Sequence, residues 1–68
     1  MIAYRLLTGK DDSSFCHKVT AALSAGWQLQ GSPTLTFNAA TGETVCGQAV
    51  IKDVPNKDYA ADMKLAEL

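Results

Sequence analysis

The sequence predicts a small α+β domain of the β-α-β-β type, in which one helix packs on one face of a three-stranded antiparallel sheet. Apolar residues alternate with other residues near the start of the chain and again in two later segments, which is the period of a strand. Between these regions they recur at offsets of three and four, which is the period of a helix. The turn-forming stretch Asn38–Gly42 separates the two later segments.

The first strand is predicted over residues 2–8. Its alternation places two sets of residues on opposite faces: Ile2, Tyr4 and Leu6 on one, and Ala3, Arg5 and Leu7 on the other. The helix is predicted over Ser13–Ala25, because Asp12 or Ser13 can cap its first N–H groups and Gly26 can take the left-handed conformation that ends a helix. Its apolar stripe consists of Phe15, Val19, Ala22 and Leu23.

The second strand is predicted over residues 27–37 and the third over residues 44–52. Gly31, Ser32 and Pro33 interrupt the second strand, which indicates a bulge on an open edge because proline cannot donate a ladder hydrogen bond. The third strand is the most apolar of the three, so we place it in the centre and predict the order 1-3-2.

The core is predicted from the larger apolar residues of each element: Leu6, Phe15, Val19, Leu23, Trp27, Leu29, Leu35, Val45, Ala49 and Ile51. This assignment leaves Leu7, Cys46 and Val50 on the opposite face of the sheet. Monomeric proteins seldom expose a large contiguous apolar patch. We therefore expect these three residues to form an interaction face, covered by a second copy of the chain or by its own C-terminal segment.

Residues 1–54 are predicted to form the single domain, and residues 55–68 a tail. A chain of 68 residues buries only about 60% of the surface that its unfolded form exposes, which is too little for two cores. Tyr59, Met63 and Leu65 give the tail a weak helical pattern, so a short docking helix is the alternative cover for the sheet.

Charge and hydropathy narrow the classes of partner. The formal net charge is −1 and the six basic residues are scattered, so nucleic-acid binding is the least favoured function. No apolar run approaches the ~20 residues of a membrane span and no leader segment is evident, so we expect a cytoplasmic protein with no membrane partner. The expected partner is a second copy, as a homodimer, or another protein.

Cys16, His17 and Cys46 are the residues that could support chemistry. Thiolate and imidazole bind zinc, but the paired ligand spacings of zinc sites are missing. Cys16 near a helix N-terminus could also act as a nucleophile, although a separate histidine base and an oxyanion hole are not evident. We therefore assign no catalytic, metal or cofactor residue, and keep a small-molecule-binding protein or a minor enzyme using Cys16 as the alternative.

Three stretches of the sequence together resemble one known family: Phe15-Cys16-His17, the run from Ala25 to Pro33 (AGWQLQGSP), and the run from Val45 to Ala49 (VCGQA). The chain is similar here to small bacterial proteins classed as a domain of unknown function, seventeen thirty-seven in that series. The likeness spans Tyr4 to Lys52. It implies a fold without an assigned activity, so the expected function remains a protein-interaction or self-associating module.

Overall fold

The computed structural model, which describes residues 1–68, confirms the α+β fold. In chain order the elements are strand β1 (Ile2–Lys10), helix α1 (Ser13–Ser24), strand β2 (Gln28–Asn38), strand β3 (Glu43–Asp53) and a 3₁₀ turn at Leu65–Glu67. The three strands form one sheet in the order β1-β3-β2, and both neighbouring pairs are antiparallel. The predicted strand order and the central position of β3 are therefore confirmed.

The two ends of α1 follow from local chemistry. Asp12 caps the first turn, where its side chain accepts hydrogen bonds from the Ser14 hydroxyl and, at 2.9 Å, from the Ser14 backbone N–H. These bonds lower the pKa of Asp12 because they stabilise the carboxylate. Beyond the other end, Gly26 has a φ of 97°, which a residue with a Cβ would adopt only at a cost of about 1–2 kcal/mol.

Strand β2 is a bulged edge strand, as predicted. Its pairing with β3 shifts between Gln30 and Thr34, across the Gly31-Ser32-Pro33 interruption. All eleven of its residues are exposed. An edge position tolerates Pro33 because the missing N–H is not needed for pairing on the solvent side.

The core lies between α1 and one face of the sheet. Its buried apolar residues are Ala3, Leu7, Phe15, Ala22, Trp27, Cys46 and Val50. Burial is confirmed for Phe15 and Trp27 from the predicted core. Four other residues of the predicted core are half-buried: Val19, Val45, Ala49 and Ile51. The remaining four are exposed: Leu6, Leu23, Leu29 and Leu35.

The predicted orientation of the sheet is therefore wrong. Leu7, Cys46 and Val50 face the helix, with exposed fractions of 4%, 7% and 0%, and cannot form an open interaction face. Arg5 shares their side of β1, and its guanidinium lies 5.1 Å from the centre of the Trp27 ring. Long cationic side chains can line a core in this way, with the stem packed and the charge toward water.

The C-terminal segment runs along the margin of the domain. Val54 donates its N–H to the Met1 carbonyl at 2.8 Å, which extends the pairing of β1 and β3 by one step. Leu65 and Leu68 pack against the core, whereas Tyr59 is 71% exposed. The expected short helix is reduced to the 3₁₀ turn, and the tail lies along the outer edge of β1, where Tyr59 and Leu65 line a cavity with Ile2 and Tyr4.

Candidate functional site

The sheet has a second face that no helix covers. The strand registers place sixteen residues on it. Four of them lie at its two ends: Lys10, Asn38, Glu43 and Asp53. The other twelve are Ile2, Tyr4, Leu6 and Thr8 from β1, Val45, Gly47, Ala49 and Ile51 from β3, and Gln28, Gln30, Thr34 and Thr36 from β2. We call these twelve residues the uncovered face. None of them carries a charged side chain.

The apolar part of the uncovered face is concentrated on β1. Ile2, Tyr4 and Leu6 occupy alternate positions and have exposed fractions of 64%, 53% and 57%. In the register of the sheet, Ile51 lies beside Tyr4 and Ala49 lies beside Leu6. A folded domain that exposes such a continuous apolar row presents the kind of surface that marks a binding site.

The Thr34 side chain covers Gly47, which is buried in the middle of the uncovered face. Gly47 has no side chain, and a Cβ built there would lie only 2.7 Å from the hydroxyl oxygen of Thr34. Thr34 thus lies across the glycine and is 3.5 Å from its carbonyl oxygen.

Charged residues mark only the two ends of the uncovered face. At one end the Lys10 ammonium lies 3.1 Å from the Glu43 carboxylate, and this hydrogen bond raises the pKa of Lys10. The pair is exposed to water, so it contributes little to stability. At the opposite end, Asp53 is exposed beside Ile2.

A groove on the helix side, between α1 and β2, is the second candidate site. It has a volume of about 270 Å³ and is lined by Phe15, Cys16, Val19, Thr20, Leu29 and Gln48. Leu35 and Phe37 continue the apolar surface toward the hairpin tip and are 67% and 64% exposed. Ligand pockets usually enclose about 300–1,000 Å³, so this groove is small for one.

The two cysteines occupy contrasting environments. Cys16 is exposed in the groove, whereas Cys46 lies in the core. Burial, together with the nearby Asp11 carboxylate, raises the pKa of Cys46. His17 is exposed on α1 next to Cys16 in sequence, and adjacent helical side chains point about 100° apart. No group of three or more His, Cys, Asp or Glu side chains could hold a metal ion.

We predict that an alkylating reagent modifies Cys16 but leaves Cys46 unmodified in the folded protein. Cys46 is protected because only its thiolate reacts, and burial disfavours that form. Mass spectrometry of native protein after iodoacetamide treatment should show one adduct, and unfolded protein should show two. Equal labelling of both thiols in the native state would contradict the assigned core. Labelling of Cys16 much faster than of a simple peptide thiol at neutral pH would support an enzyme.

The family model for "Domain of unknown function (DUF1737)" matches residues 1–53. The chain belongs to this family. The DUF1737 match ends at the last residue of β3, so it includes the whole sheet and α1 but not the tail. The resemblance carried by the motifs around Cys16, Trp27 and Cys46 is thereby confirmed. No curated protein and no solved structure gives a significant match.

Within this DUF1737 domain, no helix has both the length and the apolar character needed to cross a bilayer.

Sequence reasoning also missed the uncovered face, because it assigned Leu6 to the core and Ile2 and Tyr4 to the same side. One signal could have found it. Ala3 and Gly9 share a face of β1, and small residues there let a helix approach: a Cβ on Gly9 would already lie 3.3 Å from the Phe15 ring.

Proposed function

We propose that this DUF1737 domain is a protein-interaction module and that the uncovered face is its binding surface. The observation that supports this most is the row of Ile2, Tyr4 and Leu6, each more than half exposed on a face whose charged residues lie only at its ends. Covering apolar surface stabilises a complex by about 25 cal/mol per Å² before the costs of association. Tyrosine is also enriched at interfaces, since it offers a large apolar ring and a polar tip.

The charge distribution favours a protein partner over a nucleic acid. A nucleic-acid site needs lysine or arginine side chains that contact phosphates, and the uncovered face has none among its twelve residues. Arg5 and Lys52 lie on the helix side, next to Trp27. Two unpaired cysteines support a reducing compartment, the cytoplasm, as the place where the module acts.

A photo-cross-linking amino acid at position 4 tests the proposal. We expect benzoylphenylalanine in place of Tyr4 to form discrete protein adducts on irradiation of cells that produce the protein, because position 4 lies inside the uncovered face. The matched control places the same group at His17, which is exposed on the opposite side of the molecule. Adducts at position 17 but none at position 4 would overturn the proposal.

The second candidate function is a small-molecule-binding protein or minor enzyme that uses Cys16. The observation that favours it is the position of this exposed thiol in the groove beside Leu29 and Gln48. We rank it second because the groove is small and open. The alkylation rate of Cys16 separates the two candidates, since an interaction module requires only the rate of an ordinary thiol.

A further inference from the structure

We infer that the partner of the uncovered face is a second copy of this chain, stacked sheet on sheet about a two-fold axis. The inference rests on the proposed function, because it assigns an occupant to the same surface. It goes beyond that proposal in naming the partner, the orientation and the residue at the axis. Charge, area and symmetry each contribute to it.

The absence of charge makes the uncovered face complementary to itself. In a two-fold dimer the same patch supplies both sides of the interface, so any charged residue near its centre would oppose its own copy. The twelve residues of this face are apolar, hydroxyl or amide residues or glycine, and none repels its counterpart. A partner that recognises charge would find nothing to pair with in the centre of this surface.

The ends of the face select the orientation of the two copies. With the strands antiparallel across the interface, Asp53 of each copy lies at the end where the other copy has Lys10 beside Glu43. With the strands parallel, the Asp53 carboxylates of the two copies would lie together. Like charges oppose association, whereas the Lys10–Glu43 pair carries no net charge, so the antiparallel arrangement is favoured. The sheets would then cross at about −30°, the usual angle for aligned sheets.

The area of the face limits the strength of the dimer. A strand of nine residues is about 30 Å long and three strands are about 14 Å wide, so the face measures about 400 Å² in plan. Two such faces bury about 800 Å², which is below the roughly 1,200–2,000 Å² of stable complexes. We therefore infer a reversible dimer with a dissociation constant of about 1–100 μM.

Leu6 lies at the axis of this dimer. It is the middle residue of β1 (Ile2–Lys10), so the antiparallel two-fold rotation places Leu6 of one copy opposite Leu6 of the other. Its side chain is 57% exposed, so a charged replacement leaves the core intact. A charge at this position would meet an identical charge in the second copy. Opposite charges on two differently substituted chains would meet as an ion pair.

Sedimentation analysis of the full chain tests the inference with Leu6→Lys, Leu6→Asp and the control His17→Lys, each checked for folding by circular dichroism. We expect the wild type and the control to dimerise with rising concentration. Each Leu6 variant alone should dissociate at least tenfold more readily, and an equimolar mixture of the two should regain dimer. The mixture shows the rescue only if both chains are folded and Leu6 meets Leu6.

Three results would overturn the inference. The first is a wild type that stays monomeric at about 1 mM, which is well above the expected dissociation constant. The second is dimerisation of the Leu6 variants like that of the wild type. The third is a mixture of the two variants that does not regain dimer. If the wild type is monomeric but position 4 still cross-links to other proteins, only the second copy is rejected as the partner. The proposed interaction module would then still be supported. Absence of cross-links at position 4 would reject the proposed function itself.

Discussion

Replacing Trp27 with alanine is expected to lower the free energy of unfolding by about 3–5 kcal/mol, the usual cost of truncating a buried aromatic residue. Trp27 is only 3% exposed, and it follows directly on the glycine that ends α1. Its ring also packs near the cationic ends of Arg5, at 5.1 Å, and Lys52, at 6.0 Å. The substitution would therefore leave a cavity and remove the surface on which two long side chains lie.

A loss of this size is large for so small a domain. A core in a chain shorter than about 70 residues rarely supplies more than about 3–5 kcal/mol, so the variant should be mostly unfolded in water. Urea denaturation followed by circular dichroism measures the difference. The matched control is Phe37→Ala, because Phe37 is an aromatic residue 64% exposed on β2 and should cost less than about 1 kcal/mol. Equal losses for the two variants would contradict the assigned core.

The elements and their order could be predicted from the sequence because their signals are local. Asp12 caps α1 whatever surrounds it, Gly26 ends the helix through its own backbone, and Asn38–Gly42 closes the hairpin within five residues. Central β3 is apolar on both faces, which is the pattern of a strand paired on both sides. The family resemblance rests on the same local motifs and was confirmed over residues 1–53.

The orientation of the sheet could not be predicted, and the reason is physical. Alternate residues of a strand point to opposite faces of the sheet, so assigning one residue to the wrong face assigns every residue of that strand to the wrong face. In β1 both sets of alternate residues are largely apolar, and the set with the larger side chains proved to be the exposed one. The buried face instead combines small residues with Arg5, whose charge is accommodated by the Trp27 ring. Such a contact depends on tertiary structure and has no signature in the periodicity of β1.

The candidate site changed with the orientation. The expectation of a second apolar face was based on composition, and the structure does expose one, but its residues are Ile2, Tyr4 and Leu6 instead of Leu7, Cys46 and Val50. The tail was the competing cover for that face. Its residues Leu65 and Leu68 pack against the core, and Tyr59 and Leu65 line a cavity with Ile2 and Tyr4. The tail therefore borders the uncovered face at β1 but leaves Ile2, Tyr4 and Leu6 more than half exposed.

Two neighbouring leucines provide the most direct test of this account. Leu7 is 4% exposed beneath α1, and Leu6 is 57% exposed on the uncovered face. Aspartate in place of Leu7 would put an unpaired charge in the core, which costs more than about 4 kcal/mol, so Leu7→Asp should be unfolded. Aspartate in place of Leu6 faces water in the monomer and should change stability by about 1 kcal/mol or less.

The measurement is the circular dichroism spectrum and urea midpoint of Leu6→Asp and Leu7→Asp at submicromolar concentration, below the dissociation constant expected for the inferred dimer. The two variants have identical composition, so any difference between them reports only which face of β1 is buried. We predict a native spectrum and a near-wild-type midpoint for Leu6→Asp and an unfolded spectrum for Leu7→Asp. A folded Leu7→Asp together with an unfolded Leu6→Asp would contradict the assignment of the uncovered face and every proposal made for it.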